Sequence, residues 1–429
     1  MEHKVKNRCR FCGAPLKHTF ADLGSSPLAN SYLEKEQLNM AELFYPLQAY
    51  VCEDCFLVQL EEFESPESIF SDYAYFSSYS DSYLEHSKNY SYMMMDRFEY
   101  TTDDFIVEIA SNDGYLLKNF VEKNIPVLGI EPANNVAKEA RKKGISTLDR
   151  FFDEKLAHEL KESRKQADLI IGNNVLAHTP NLNDFISGMK ILLKPEGVIT
   201  MEFPHLQQMV DGNKFDTIYH EHFSYFSFIT VEKIFAYHGL VLFDVDEIPT
   251  QGGSLRIYAK HADDSSKSVT DKVHELRHRE YQLGYDELDL YLSFNPKIKE
   301  TKRNILDFFI KVKREGKSIA GYGAPAKGNT LLNYCGIRSD FVNYTVDKNP
   351  SKQNRYLPGT HIPVYSPDKI YETKPDYICI LPWNLSNEIM SQLDYVAEWD
   401  AKFVTLIPEI KVIDSFDKER VPSVHHKVQ

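Results

Sequence analysis

At 429 residues the chain is longer than one hydrophobic core of ordinary size supports, so two or three domains are expected. Its 63 acidic and 49 basic residues leave a net charge of -14, a field that argues against a general nucleic-acid or anionic-membrane partner because both would be repelled. No stretch of about 18 uncharged apolar residues occurs and the start is polar rather than signal-like, so the expectation is a cytoplasmic protein, a monomer or weak homo-oligomer.

The first module, residues 1–64, is short of helical periodicity and carries four of the six cysteines. Cys9-Arg10-Phe11-Cys12 and Cys52-Glu53-Asp54-Cys55 are two C-x-x-C knuckles. Each can offer two thiolates along one edge of a metal, and together they complete a tetrahedral, closed zinc site that holds the fold without doing chemistry. In a large chain without a secretion signal this pattern favours metal over disulfides. A redox pair is disfavoured because neither knuckle opens the helix of a thioredoxin-like unit. One structural zinc per chain is expected. Residues 65–103 follow as a connector crowded with Tyr, Ser and Phe, Tyr73 to Tyr79 above all, leading into a helix from Tyr83 to Arg97. Their hydroxyls suit a polar lid or cleft wall.

From residue 104 to 262, short apolar runs alternate with helix-like segments, the pattern of a parallel α/β sheet. Phe105–Ile109, Val127–Ile130, Leu169–Ile171 and Gly197–Met201 read as successive buried strands. Glu108-Ile109-Ala110-Ser111-Asn112-Asp113-Gly114 joins the first strand to a helix, which is where a doubly wound domain takes its cofactor. The second strand ends in Glu131, a carboxylate placed for ribose hydroxyls. A dinucleotide domain has a similar pair. Two features favour S-adenosylmethionine instead: the turn lacks G-x-G-x-x-G, and Glu108 would repel a pyrophosphate yet suits a sulfonium with a free amine. The cofactor candidates are Glu108, Ala110, Asn112, Gly114 and Glu131, joined by Asn173 and Asn174 after the third of these strands. The rival is an ordinary βα turn with a surface glutamate.

His178 lies in the same polar run, at the edge of the sheet where ligands bind, as a group for cofactor or substrate or as a packing residue. Further on, Tyr219-His220-Glu221-His222 sets two histidines around a glutamate, proton donors and acceptors that a cleft can tune toward neutrality. His-x-His is also a metal-ligand spacing, but no matching Cys or carboxylate motif is near, and acid–base work is favoured over a metal or a purely structural cluster. Residues 263–303 are charged and poor in Gly and Pro, which predicts a long connecting helix over Asp263–Lys302. A second βα series fills 304–429, with strands at Ser318–Gly323, Phe341–Asp347, Tyr377–Leu381 and Phe403–Ile407. The fold class is α/β: a small zinc-binding module, a central doubly wound Rossmann-like methyltransferase domain, and a C-terminal Rossmann-like domain.

Taken in order, Cys9-x-x-Cys12, Cys52-x-x-Cys55, Glu108 to Gly114, Tyr219 to His222, and Gly321-Tyr322-Gly323-Ala324-Pro325-Ala326-Lys327-Gly328 resemble the nucleotide-sugar C-methyltransferases that install branched-chain deoxysugars. The resemblance spans nearly the whole chain. It implies zinc in the first module, S-adenosylmethionine in the central domain, and a C-terminal domain that grips an NDP-sugar, usually a 4-keto-6-deoxyhexose methylated at C3. By similarity His222 is the candidate base, Tyr219 and Glu221 steady the enolate or relay protons, and His178 assists at the sugar. Tyr75, Tyr79, Gly323, Lys327, Asn329, Asp347 and Asn349 are the expected substrate contacts. Backbone N–H groups at the helix start after Gly323 favour phosphate; the competing reading is a helix-packing turn. Two other functions remain in view, an NAD-dependent nucleotide-sugar oxidoreductase using the C-terminal glycine loop and a non-catalytic zinc-bearing scaffold. Against the first stand the separate central site and the absence of a Tyr-x-x-x-Lys pair beside a Rossmann loop.

Overall fold

The computed structural model describes residues 8–65, 78 and 81–415. The Tyr/Ser-rich run, with Tyr75 and Tyr79, lies outside the described residues. Two compact units form: one from residues through His18, Tyr50–Gln208 and Glu221–Tyr291, the other from Thr19–Ala49, Met209–His220 and Leu292 onward.

The strands in chain order are β1 (His18–Ser26), β2 (Tyr45–Val51), β3 (Val58–Leu60), β4 (Ile106–Ile109), β5 (Val127–Ile130), β6 (Thr147–Leu148), β7 (Ala167–Asn173), β8 (Leu193–Pro204), β9 (Ser224–Tyr225), β10 (Leu240–Ile248), β11 (Ser254–His261), β12 (Ile319–Tyr322), β13 (Thr345–Val346), β14 (Val364–Tyr365), β15 (Tyr377–Ile380), β16 (Lys402–Thr405) and β17 (Lys411–Asp414). The first unit is built on a seven-stranded sheet in the order β10-β11-β8-β7-β4-β5-β6. β4 pairs in parallel with both β5 and β7, and β10 and β11 add an antiparallel edge. The parallel strands are runs of Ile, Val and Leu because helices cover both faces; Ile106, Val107, Leu128, Ile130, Leu169, Ile170 and Ile171 are all buried. The chain starts at β4, winds outward to β6, then returns to β7 on the other side. This reversal between β4 and β7 opens a crevice at the carboxyl ends of both strands.

Helix α1 (Asp81–Phe98) sends Tyr83, His86 and Tyr90 to one side, as the spacing of three to four residues requires. They meet Asn174, Glu202 and Thr200 respectively, so α1 begins at the carboxyl edge of the sheet and runs back along it. A second long helix, α2 (Phe228–Tyr237), is capped by the Ser227 hydroxyl, while the buried Glu280 carboxylate accepts its Phe228 and Ile229 N–H groups at 2.8 and 2.9 Å. A negative charge at a helix N-terminus is favourable there.

The second unit repeats the plan with six strands, β14-β13-β12-β15-β16-β17. β12 is central and parallel to β13 and β15, so the direction of winding again reverses beside it. Two sequence expectations need correction. The segment expected as one connecting helix over Asp263–Lys302 is three helices, α3 (Asp271–Gln282), α4 (Leu288–Leu292) and α5 (Phe294–Arg314); Gly284, at φ +85°, ends the first. The strand expected at Phe341–Asp347 is only Thr345–Val346, because Phe341 and Val342 turn back to the Arg338 carbonyl. Helix α5 buries Phe294, Ile298, Ile305, Phe309 and Val312, an i, i+4 stripe against the unit's core.

Candidate functional site

The sulfur atoms of Cys9, Cys12, Cys52 and Cys55 all lie within 4.8 Å of one another, with Cys9 to Cys55 and Cys12 to Cys52 both at 3.5 Å. The two knuckles are copies in backbone as well as sequence. Gly13 N–H donates to the Cys9 carbonyl and Phe56 N–H to the Cys52 carbonyl, each at 2.9 Å. Both donors take the left-handed conformation, Gly13 at φ 77° and Phe56 at φ 62°. Phe56 offsets that strain by stacking on Tyr291 and carrying Lys233 over its ring. Hydrogen bonds from Cys52 and Cys55 hold the Cys9 thiol far below its ordinary range, whereas its hydrogen bonds to Cys52 and Cys9 push Cys55 far above. Four thiols so close cannot all ionise without a dication among them. Gln59, fully buried, donates to Cys9 Sγ at 3.2 Å and accepts from the Arg10 N–H at 2.9 Å, an outer contact that orients a ligand.

At the first crevice, β4 delivers Glu108 and turns through Ala110, Asn112 and Gly114, with φ of 57°, 48° and 74°. Positive φ at Ala and Asn is costly and concentrates where function demands it. Glu131, at the end of β5, accepts the Asn112 N–H with one oxygen and the Ala133 N–H with the other, both at 2.9 Å. Gly129 must be glycine, since a side chain there would run into the Ser111 hydroxyl. Glu108 is buried, and burial together with the nearby Glu131 and Asp113 raises its carboxyl well above the usual range. One Glu108 oxygen, the Asp113 Oδ1 and the Asn173 Oδ1 have no hydrogen-bond partner among the described residues. Lys143 meets Asp113 at 2.6 Å, and among the described residues neither Glu108 nor Glu131 has an ion-paired cation. This is a donor-poor, acceptor-rich pocket that fits an ammonium and a sulfonium. Asn173 faces Glu202 across β7 and β8, and Asn174, at φ 57°, donates to Tyr83 Oη at 2.6 Å. Glu202 is fully buried; although burial opposes ionisation, His86 and Arg256 hold its carboxyl below the usual range.

His178 sits beside this edge. Its Nδ1 is 2.8 Å from the Glu221 carbonyl, and a carbonyl only accepts, so Nδ1 carries the proton. Burial pushes its pKa down to about 4, which keeps the ring neutral and leaves Nε2 as the basic nitrogen. The Phe223 N–H donates to the Ala177 carbonyl at 2.7 Å, so two hydrogen bonds fix residues 221–223 against the His178 turn. His178 and His222 rings lie 4.8 Å apart, edge to face. Tyr219 and His220 belong to the second unit; His220 donates to the Pro46 carbonyl at 3.1 Å and packs on Tyr45.

In the second unit, Gly323 at φ +86° leads from β12 to helix α6 (Ala326–Cys335). Side chains at Gly321, Gly323 and Gly328 would strike Thr345, Pro382 and Leu381 at 2.7, 2.5 and 3.0 Å, so close packing accounts for all three glycines. Asp347 ends β13 and repeats the role of Glu131: it accepts the Ala324 and Asn349 N–H groups at 2.7 and 2.8 Å. Unlike Glu131 it has a cation, Lys352, at 3.9 Å. Asn329 is buried and donates to the Ala29 carbonyl at 2.6 Å. Lys327 Nζ donates to Asn384 Oδ1 at 2.9 Å and lies 4.7 Å over the Trp383 ring. Sequence reasoning missed Tyr83 and His86, whose signal was the i, i+3 spacing on α1, and it missed Glu202 on β8 and Trp383 just after β15, whose places emerge only from the strand order.

Family models match along most of the chain: "Putative zinc binding domain" over residues 9–70, "Methyltransferase domain" over 97–245 and "C-methyltransferase C-terminal domain" over 249–408. The zinc knuckles and a methyltransferase-type doubly wound sheet thus define the class. C-methyltransferase NovU of Streptomyces niveus is 33% identical over 409 residues, 95% of this chain and 97% of that protein. The chain belongs to this C-methyltransferase family; it is an S-adenosylmethionine-dependent enzyme that also binds zinc. Among solved structures, magnesium protoporphyrin IX methyltransferase (ChlM) from Synechocystis PCC 6803 with bound SAM is 13% identical, with a TM-score of 0.32 over 41% of this chain and 78% of that one. The PH0226 protein from Pyrococcus horikoshii OT3 is 15% identical, with a TM-score of 0.34 over 46% and 99%. No helix among the described residues is long and apolar enough to cross a membrane.

Proposed function

We propose that the enzyme methylates C3 of an NDP-4-keto-6-deoxyhexose, with residues 104–262 taking the cofactor and 304–429 the nucleotide. The observation that carries this reading is the contrast between the two crevices. The first presents Glu108 and Glu131 without an ion-paired cation among the described residues and suits a cationic cofactor; the second compensates Asp347 with Lys352 and adds Lys327, which suits an anionic ligand.

The 4-keto group acidifies the C3 hydrogen. His222 takes that proton, the electrons pass into the carbonyl as an enolate, and the enolate carbon attacks a methyl group. S-adenosylmethionine, when bound, would supply that methyl in electrophilic form, the methyl–sulfur bond breaking with its electron pair left on sulfur as a neutral thioether. His178, neutral and held by its Nδ1–H, serves at the sugar with Nε2, and Tyr219 and Glu221 steady the enolate or pass the proton on. Gly323, Lys327, Asn329, Asp347 and Asn349, with Tyr75 and Tyr79, are the proposed substrate contacts. In the test, His222→Ala binds both ligands yet loses turnover by roughly a hundredfold or more, the scale of a positioned base, and no longer exchanges the C3 hydrogen with deuterium from solvent. Undiminished exchange in that variant would move the base to another residue, His178 first.

A further inference from the structure

Arg10 and Phe11 stand between the thiol ligands Cys9 and Cys12, and both are held against the turns that carry the histidine pair. β3 makes the first link. It pairs antiparallel with β9, Gln59 opposite Ser224 and Val58 opposite Tyr225, and the Leu60 N–H donates to the Phe223 carbonyl at 3.0 Å. The Arg10 guanidinium follows the same strand: its Nη2 donates to the Leu60 carbonyl, and its Cζ lies 5.5 Å from the centroid of the Phe223 ring. Leu60 therefore holds Phe223 with its N–H and Arg10 with its carbonyl, and Phe223 directly follows His222. Gln59 ties this strand to the ligand Cys9. Asn183 makes the second link. It stands in the first turn of the helix Leu182–Leu192, just after the His178 turn, and its Nδ2 donates to the Phe11 carbonyl at 2.9 Å. His238 Nε2 lies 3.0 Å from Asn183 Oδ1; an amide oxygen only accepts, so His238 donates and fixes the amide. The Phe223 N–H to Ala177 carbonyl bond, at 2.7 Å, joins the two links. Arg10 Nη1 is buried with no hydrogen-bond partner among the described residues. An unmade buried hydrogen bond destabilises, and an apolar side chain of similar shape would avoid that cost, so stability alone does not account for an arginine here.

We propose that the first cysteine knuckle positions the histidine pair of the methyl-transfer site: Arg10, through Leu60 and Phe223, sets the place of His222, and Asn183, through the Phe11 carbonyl, sets the turn of His178. This rests on the reading of His222 as the base. Arg10 and Asn183 are positioning residues, acting through their neighbours. A base works only within hydrogen-bond reach of the proton it takes, and a displacement of about 1 Å costs up to roughly a hundredfold in rate. Closing the knuckle on its metal thus fixes two turns that are remote from it in sequence, and the module serves the rate as well as the fold.

Arg10→Met keeps the aliphatic stem and removes the guanidinium. The full-length variant retains its zinc and its affinity for S-adenosylhomocysteine, and its KM for the nucleotide sugar stays close to the parent. Its kcat falls roughly tenfold or more, and exchange of the substrate C3 hydrogen with solvent deuterium falls with it. Amide hydrogen exchange followed by mass spectrometry, without substrate, speeds up across 221–225 and stays as in the parent across β4 and β5. Arg10→Lys, which restores a donor for the Leu60 carbonyl, recovers most of the kcat. Asn183→Leu lies outside the knuckle and carries the same test, with faster amide exchange at 176–180, where Arg10→Met loses metal. Parental kcat and amide exchange in zinc-replete Arg10→Met and in Asn183→Leu overturn the positioning role. Loss of zinc or of S-adenosylhomocysteine binding in step with kcat in both variants also overturns it, since that marks a general loss of fold. C3 exchange that survives in Arg10→Met but not in His222→Ala leaves the base in place and removes the positioning, whereas exchange that survives in both removes the base reading itself.

Discussion

Glu108 and Asp216 are buried carboxyls whose neighbours leave them partly unsatisfied, and each makes a prediction through its proton. Glu108 is raised by burial, by Glu131 and by Asp113, so the cofactor-free protein holds a proton there that a cationic ligand expels. Affinity for S-adenosylmethionine therefore increases with pH in the wild type, and calorimetry in buffers of different ionisation enthalpy registers proton release. Glu108→Gln binds roughly tenfold or more weakly, loses that pH dependence, and melts higher without cofactor; pH-dependent binding that survives in the variant contradicts the assignment. Asp216 is raised to about 6 by burial, against the opposing pull of Lys327, the Trp383 N–H and Lys214. A carboxyl raised on folding binds its proton more tightly in the native state, so its contribution is present at low pH and is lost as pH rises from its ordinary value near 4 through 6. Asp216→Asn keeps an acceptor for Trp383 and recovers on the order of 2 kcal/mol at pH 8, with no gain at pH 4. Parallel melting curves for the two proteins across that range would exclude it. Glu108 and Glu131 were legible in the sequence because a glycine turn and a second-strand carboxylate have fixed places in a βα unit. Asp216 was not, because burial and a tryptophan 167 positions away define it.

At the scale of elements, the zinc knuckles were readable in full: spacing alone placed two thiols per turn, and the backbone added the left-handed residue that closes each. Cys52→Ser loses zinc and soluble yield together, because the metal's binding energy is part of the folding energy; full zinc content in the purified variant contradicts this. Gly13→Ala meets no neighbouring atom, so it costs about 1–2 kcal/mol through its φ alone, visible as a lower melting temperature at unchanged zinc content. Helices were less legible where charge masked their ends. Asp263–Lys302 is poor in Gly and Pro and looked continuous, yet Gly284 ends α3 and the buried Tyr285 starts a new packing direction. The Phe341–Val342 pair looked like a strand because both are apolar, but a turn on Arg338 takes their N–H groups.

At the scale of the whole molecule, each unit is a doubly wound sheet with a reversal beside its central strand, and each places a carboxylate on its loop in the same way, Glu131 on Asn112 and Asp347 on Ala324. The two differ in charge, and the proposed cation in one and anion in the other rest on that difference. Alternating apolar runs made both sheets legible; the separation of Tyr219 and His220 from Glu221 and His222 into different units was not, because no composition shift marks a boundary inside a four-residue motif. The central claim is carbon methylation of a nucleotide-linked keto sugar. Mass spectrometry and NMR of reactions containing S-adenosylmethionine and dTDP-, GDP- or CDP-linked 4-keto-6-deoxysugars test it most directly: the account predicts one added methyl on C3 of at least one of them, and a methyl on oxygen, or turnover of none of the panel by zinc-replete enzyme, would contradict it.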